Sequence, residues 1–235
     1  MQIHRSAERG STQLSWLNSK HSFSFGDFVD RSKMNFRSLR VLNDDIVAPG
    51  MGFDTHPHKN MEILTYVVSG ELRHKDSAGN ESILKAGAFQ LMSAGAGVYH
   101  SEFNASDEHP VRFIQIWIEP RQLNLPSSYQ EGIIEKAGEQ SGSFLIASPQ
   151  AEDRAALVGQ DAKVSFLWGV ADGELYLQSN PQRYYWLQLV TGTLSVSGQR
   201  LSEGDALSFE PAEELREKLQ VQGIDDFEAL LFELS

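Results

Sequence analysis

Two short strings occur twice in this chain, in the same order. Val68-Ser69-Gly70-Glu71-Leu72 returns as Val190-Thr191-Gly192-Thr193-Leu194, and Leu84-Lys85-Ala86-Gly87-Ala88 returns as Leu201-Ser202-Glu203-Gly204-Asp205. The offsets are 122 and 117, so the hairpin between the strings is five residues shorter in the second copy. Self-similarity at one period across 235 residues predicts two copies of a single domain rather than one continuous fold.

Each copy reads as β-structure. The apolar runs 39–42, 63–68, 89–92, 111–118, 164–168, 184–190 and 229–232 are short, rich in β-branched and aromatic residues, and separated by glycine turns. Ser77-Ala78-Gly79-Asn80 and Val196-Ser197-Gly198 read as hairpin tips. Only Ala212 to Leu219 suggests a turn or two of helix. The prolines and polar residues after Glu119 read as a connection, giving domains over 1–120 and 142–235 joined by a linker over 121–141.

The chemistry is confined to the first copy. His56-Pro57-His58 and His100-Ser101-Glu102 place four potential ligands at i,i+2 spacing in strand-like segments, so each segment aims both of its ligands to one side. Pro57 disfavours the helical region for His56 and keeps the first segment extended. Three imidazoles and a carboxylate converging in a barrel mouth suit a divalent transition metal and leave coordination positions for a substrate. All seven histidines fall within the first 109 residues. The repeat offsets carry His56, His58, His100 and Glu102 onto Gln178, Asn180, Glu217 and Leu219, so the second copy has lost the set.

Composition narrows the function further. With no cysteine, disulfides, thiolate metal sites and cysteine nucleophiles are excluded. Acidic residues crowd the second half, within a net charge of −12, and disfavour direct binding to a phosphate backbone. No apolar run is long enough to span a membrane and the first residues lack a signal-peptide core, so a cytoplasmic location is expected.

Gly50 followed by His56, His58 and Glu62 resembles the first cupin motif, and Gly97, His100 and Asn104 the second. The strings Leu39-Arg-Val-Leu-Asn-Asp-Asp45, Gly52-Phe-Asp-Thr-His-Pro-His58 and His100-Ser-Glu-Phe-Asn104 resemble the pirin family, and His21-Ser-Phe-Ser-Phe25 its bacterial members. The resemblance runs the length of the chain. It implies an all-β bicupin: two cupin-type antiparallel β-barrels, the second degenerate, with one metal in the first. Carried over position by position, the metal ligands are His56, His58, His100 and Glu102. Glu62 is the competing carboxylate, since strand parity also aims it at the metal face, and it is expected to lie outside the ligand set.

The resemblance further implies a metal-dependent oxidoreductase of the quercetin 2,3-dioxygenase type, which opens flavonols with dioxygen and releases carbon monoxide. Its cofactor is one divalent transition metal, iron(II) favoured over manganese, nickel, copper or zinc, and Glu102 has a second role as the base for the flavonol 3-hydroxyl. The expected partners are a small aromatic substrate and dioxygen. The alternatives are a non-enzymatic, metal-binding or redox-sensing co-regulator with a protein partner, as implied by animal pirins, and another metal-assisted small-molecule reaction. Phe53, Met92, Trp117 and Gln115 are candidates for the pocket, while Trp16, Phe23 and Phe25 are expected to pack the barrels together or cover an end.

Overall fold

A computed structural model describes residues 1–136, 140–150, 152, 154–210 and 219–235. Its strands are β1 (Gln2–His4), β2 (Gly10–Gln13), β3 (Leu17–His21), β4 (Leu39–Val47), β5 (Gly52–His58), β6 (Glu62–Ser69), β7 (Glu71–Asp76), β8 (Glu81–Lys85), β9 (Ala88–Ser93), β10 (Val98–Asn104), β11 (Val111–Ile118) and β12 (Ser128–Ile133). They continue with β13 (Ser141–Ser148), β14 (Ala156–Leu157), β15 (Ala162–Gly169), β16 (Glu174–Leu177), β17 (Tyr184–Thr191), β18 (Thr193–Val196), β19 (Gln199–Ser202), β20 (Ala206–Phe209), β21 (Leu219–Gly223) and β22 (Phe227–Leu234). Every apolar run expected as a strand lies in one, and both expected hairpin tips join paired strands. The helix expected over Ala212 to Leu219 lies outside the described residues except for Leu219, which opens β21. None of the described helices is long and apolar enough to cross a membrane.

Each half pairs a seven-stranded sheet with a four-stranded one. The first half has the orders β12-β9-β6-β11-β4-β3-β2 and β5-β10-β7-β8, the second β1-β20-β17-β22-β15-β13-β14 and β16-β21-β18-β19. The ladders do not close, and each half is a flattened two-sheet sandwich, the form the expected cupin-type antiparallel barrel takes here. Two strands lie across the expected boundaries: β1 pairs with β20 of the second half, and β12, within 121–141, pairs with β9 of the first.

Alternation explains the layering. Along β6, Leu64 and Tyr66 face the second half and join Leu42, Ile114 and Ile116 against Phe166, Trp186, Leu230 and Phe232. The two large sheets thus pack back to back, and each apolar side chain so buried contributes about 1.5–3 kcal/mol. The opposite faces look into the two sandwich interiors, where Val67 and Phe113 meet Leu72 and Leu84 in the first half.

The repeated strings mark a turn that requires glycine. Gly70 and Gly192 have φ of 79° and 81°, in the left-handed region. A Cβ there would lie 2.7 Å from the Pro110 carbonyl oxygen and 2.0 Å from that of Asp226, respectively.

Candidate metal centre

His56 and His58 enter the first sandwich from β5, and His100 and Glu102 from the adjacent β10. Burial alternates along β10, with Val98, His100, Glu102 and Asn104 inside. His56 and His100 are paired across the ladder, and their Nε2 atoms lie 3.0 Å apart. The His56 Nδ1–H donates to the Asp54 carbonyl at 2.7 Å, which leaves Nε2 unprotonated, with its lone pair available on the side of His100 Nε2. The His58 ring stands edge-on to both, its centroid 4.8 Å from each. One ligand nitrogen from each of the three lies within 4.8 Å of the others.

The electrostatics favour neutral imidazoles. Burial, then the neighbouring His100 and His56, pushes His58 down to about 3, and burial with His56 and His74 does the same for His100. Unprotonated nitrogens are the form a metal needs. His100 Nδ1 and His74 Nε2 are buried without hydrogen-bond partners. With a carboxylate alongside and no thiolate, this donor set fits a divalent transition metal.

Glu102 is buried at 2% exposure, and burial pushes its carboxyl above the usual range. Its oxygens are held from three sides: Gln90 Nε2 donates to Oε1 at 3.1 Å, Thr65 Oγ1 to Oε1 at 3.3 Å, and Gln115 Nε2 to Oε2 at 2.7 Å. Gln115, a candidate for the pocket, lines the cavity and also orients Glu102.

His74 was missed in the sequence reading as a site residue. It sits opposite Glu102 on β7, and one of its nitrogens groups with His100 and Glu102 within 4.8 Å. Its ring stacks on Tyr129 at 4.8 Å, and its Nε2 lies 3.6 Å from Asp76. Leu72, His74 and Asp76 alternate inward along β7, a period-2 signal legible in the sequence.

Glu62 faces the other way. Its Oε2 accepts a hydrogen bond from Ser93 Oγ at 2.6 Å, and the Gly159 backbone N–H of the second half also donates to it. The parity that aimed it at the metal face was counted across Lys59–Met61, where Asn60 at φ 52° turns the chain and breaks the alternation.

Beside the histidines lies a cavity of about 220 Å³. His56, His58 and Glu102 line one side, Phe25, Phe53 and Trp117 supply aromatic surface, and Ser19, His21, Asn43 and Asp45 form a polar wall on β3 and β4. Met92 instead packs behind it with Ile63, Ala94 and Val98. Trp16 braces Phe53 at 5.2 Å, and Phe23 packs on Trp186 of the second half at 5.0 Å.

Comparison with known proteins agrees along the whole length. Residues 3–118 match the family model described as Pirin, and residues 145–234 that described as Quercetinase C-terminal cupin domain. The chain is 37% identical over 233 residues to the protein of Escherichia coli K12 named quercetin 2,3-dioxygenase, covering 99% of this chain and 97% of that one. The crystal structure of YhhW from Escherichia coli superposes with a TM-score of 0.93 at 37% identity, over 100% of this chain and 97% of that chain. Bacterial pirin YhhW in complex with nickel(II) gives 0.92 at 36% identity, over 99% and 98%. A two-sandwich fold with its histidine cluster in the first half and family matches to both halves has one reading: the chain belongs to the pirin family.

Proposed function

We propose that this chain is a metal-dependent dioxygenase that cleaves flavonol-type substrates such as quercetin across the 2,3 bond and releases carbon monoxide. The observation that carries the reading is the cavity of about 220 Å³ in which the His56, His58 and Glu102 side chains share one space with the aromatic faces of Phe25, Phe53 and Trp117. A planar aromatic ligand fits such a lining. The full-length likeness to a protein named quercetin 2,3-dioxygenase supports the same reaction.

In this reading His56, His58, His100 and Glu102 hold one divalent metal, iron(II) foremost; the nitrogens of the three histidines form one group, and Glu102 groups with the shared His100 and with His74. A bound ion supplies Lewis acidity and redox access to dioxygen. The rest is the work of the protein. Glu102 accepts the proton of the substrate 3-hydroxyl, a task suited to a carboxyl raised by burial. Thr65, Gln90 and Gln115 fix its two oxygens, so the basic lone pair is presented in one direction. Phe25 and Trp117, in edge contact at 5.5 Å, confine the ring plane and exclude water.

The test is anaerobic reconstitution with iron(II), manganese, nickel or copper in turn, followed by quercetin and oxygen. Loss of flavonol absorbance together with carbon monoxide release is expected with at least one metal, abolished by chelator and by His100→Ala. Carbon monoxide at the level of metal alone for all of them would overturn the reading.

A further inference from the structure

The polar wall of the cavity contains one group that the chemistry above leaves unused. Asp45 lies on β4 in the seven-stranded sheet, across the sandwich from the β5 histidines, and lines the same cavity. It is 4% exposed; Ser19 hydrogen-bonds its carboxylate, but its Oδ1 has no hydrogen-bond partner. An unpaired buried acceptor costs about 1–3 kcal/mol, and more when charged. Its neighbours, by contrast, are engaged with one another. His21 Nδ1 donates to Asn43 Oδ1 at 2.8 Å, and Thr12 Oγ1 bonds His21 Nε2 at 2.9 Å. This fixes the Asn43 side chain and leaves its NH2 as the group it can offer a ligand in the cavity it lines. Burial, reinforced by Asp44 and Glu102, pushes Asp45 up to about 7.

The second half shows what the position becomes when nothing is to be recognised. Asp45 pairs with Phe113 on β11, and at the matching place on β22 Ala229 pairs with Leu167. Leu167 is fully buried in the hydrocarbon interior of that sandwich.

We infer that Asp45 and Asn43 form a subsite for the ring hydroxyl groups of a polyhydroxylated aromatic substrate, with Asp45 accepting a substrate O–H and Asn43 donating to a substrate oxygen. This rests on the flavonol reading of the cavity and adds to it the means of selecting among flavonols. A site built to hydrogen-bond a hydroxyl rejects the analogue lacking it, because its own buried groups are then left unpaired.

The experiment is anaerobic binding to the metal-loaded protein, followed by quenching of tryptophan fluorescence. The two probes are quercetin and 3-hydroxyflavone, which keeps only the 3-hydroxyl. The wild type is expected to bind quercetin at least about tenfold more tightly, as one hydrogen bond to a carboxylate is worth about 1.5–3 kcal/mol. Asp45→Leu should bring the two dissociation constants to within roughly threefold while leaving that of 3-hydroxyflavone unchanged. Asp45→Asn, which keeps the shape, guards against a variant that fails to fold and should also narrow the ratio. A quercetin preference absent from the wild type, or one surviving either substitution in folded, metal-loaded protein, overturns the subsite. Failure of the dioxygenase reading shows separately, as absent oxygen-dependent turnover by a wild type that still distinguishes the two flavonols.

Discussion

The two halves of the molecule share a backbone and differ in what fills it. In the first, Thr65 pairs with both Gln90 and Gln115, Glu102 pairs with His74, and His100 with His56. At the matching places in the second half Leu187 pairs with Leu207 and Leu231, Val221 with Val196, and Leu219 with Leu177. Seven polar positions that build and orient the cluster of histidines and a carboxylate are matched by seven aliphatic ones, all in or against a single hydrocarbon core. One copy accepts buried polar groups, each in need of a partner, and gains a reactive site. The other buries apolar surface at about 25 cal/mol per Å² and serves as a rigid support for its twin.

Substitutions that treat the halves differently sharpen this contrast. The largest effect should come from the carboxylates of the first half: Glu102→Gln removes the carboxylate beside the histidines and with it the proposed base, and is expected to lower turnover by more than about a hundredfold together with metal content. Glu62→Gln, facing Ser93 and Gly159, should leave metal content unchanged, and the reverse pattern would reverse the assignment. In the second half the strand-paired counterpart of His100 is Leu219, and Leu219→Ala should destabilise the fold by roughly 2–5 kcal/mol in urea titrations with metal content intact.

A pH comparison comes next. Asp45 titrates near 7 in the folded chain against 3.8 as its ordinary value, because burial and then Asp44 and Glu102 oppose its charge. Between those values the folded chain holds a proton that the unfolded chain has released, so stability falls as pH rises through that window. Asp45→Asn removes this fall. The variant should gain on the wild type by roughly 2–4 kcal/mol between pH 4 and pH 8 in chelator-treated protein, and a pH-independent difference would contradict the burial argument. The smallest effect is expected from Gln115→Leu, which installs the residue of the second half beside Glu102. It leaves Oε2 without its donor and should cost about 10–100-fold in metal affinity while the fold survives.

The sequence revealed those features that depend on local geometry. The glycine turns at Gly70 and Gly192 need positive φ, so they persisted in both copies and exposed the duplication. The i,i+2 pairs follow from strand alternation, which gathers His56, His58 and His100 into one group, whereas Glu102 groups with His100 and His74. What failed depended on counting through loops. Parity carried past Asn60 misdirected Glu62, and the offset of 117 placed Leu219 against Glu102, whereas strand pairing sets Leu219 against His100 and Val221 against Glu102. Glu217, the position that offset gave for His100, lies outside the described residues. His74 and Asp45 escaped notice because each reaches the site across a sheet, from strands with no ligand motif of their own.

The polar interior of the first half, matched by aliphatic residues in the second, predicts a single metal per chain, held in the first half. Elemental analysis of the reconstituted protein tests it most directly. One divalent ion per chain is expected in the wild type and in Leu219→Ala, and none in the His56→Ala, His58→Ala double variant. Two ions per chain, or an ion retained by the double variant, would contradict it.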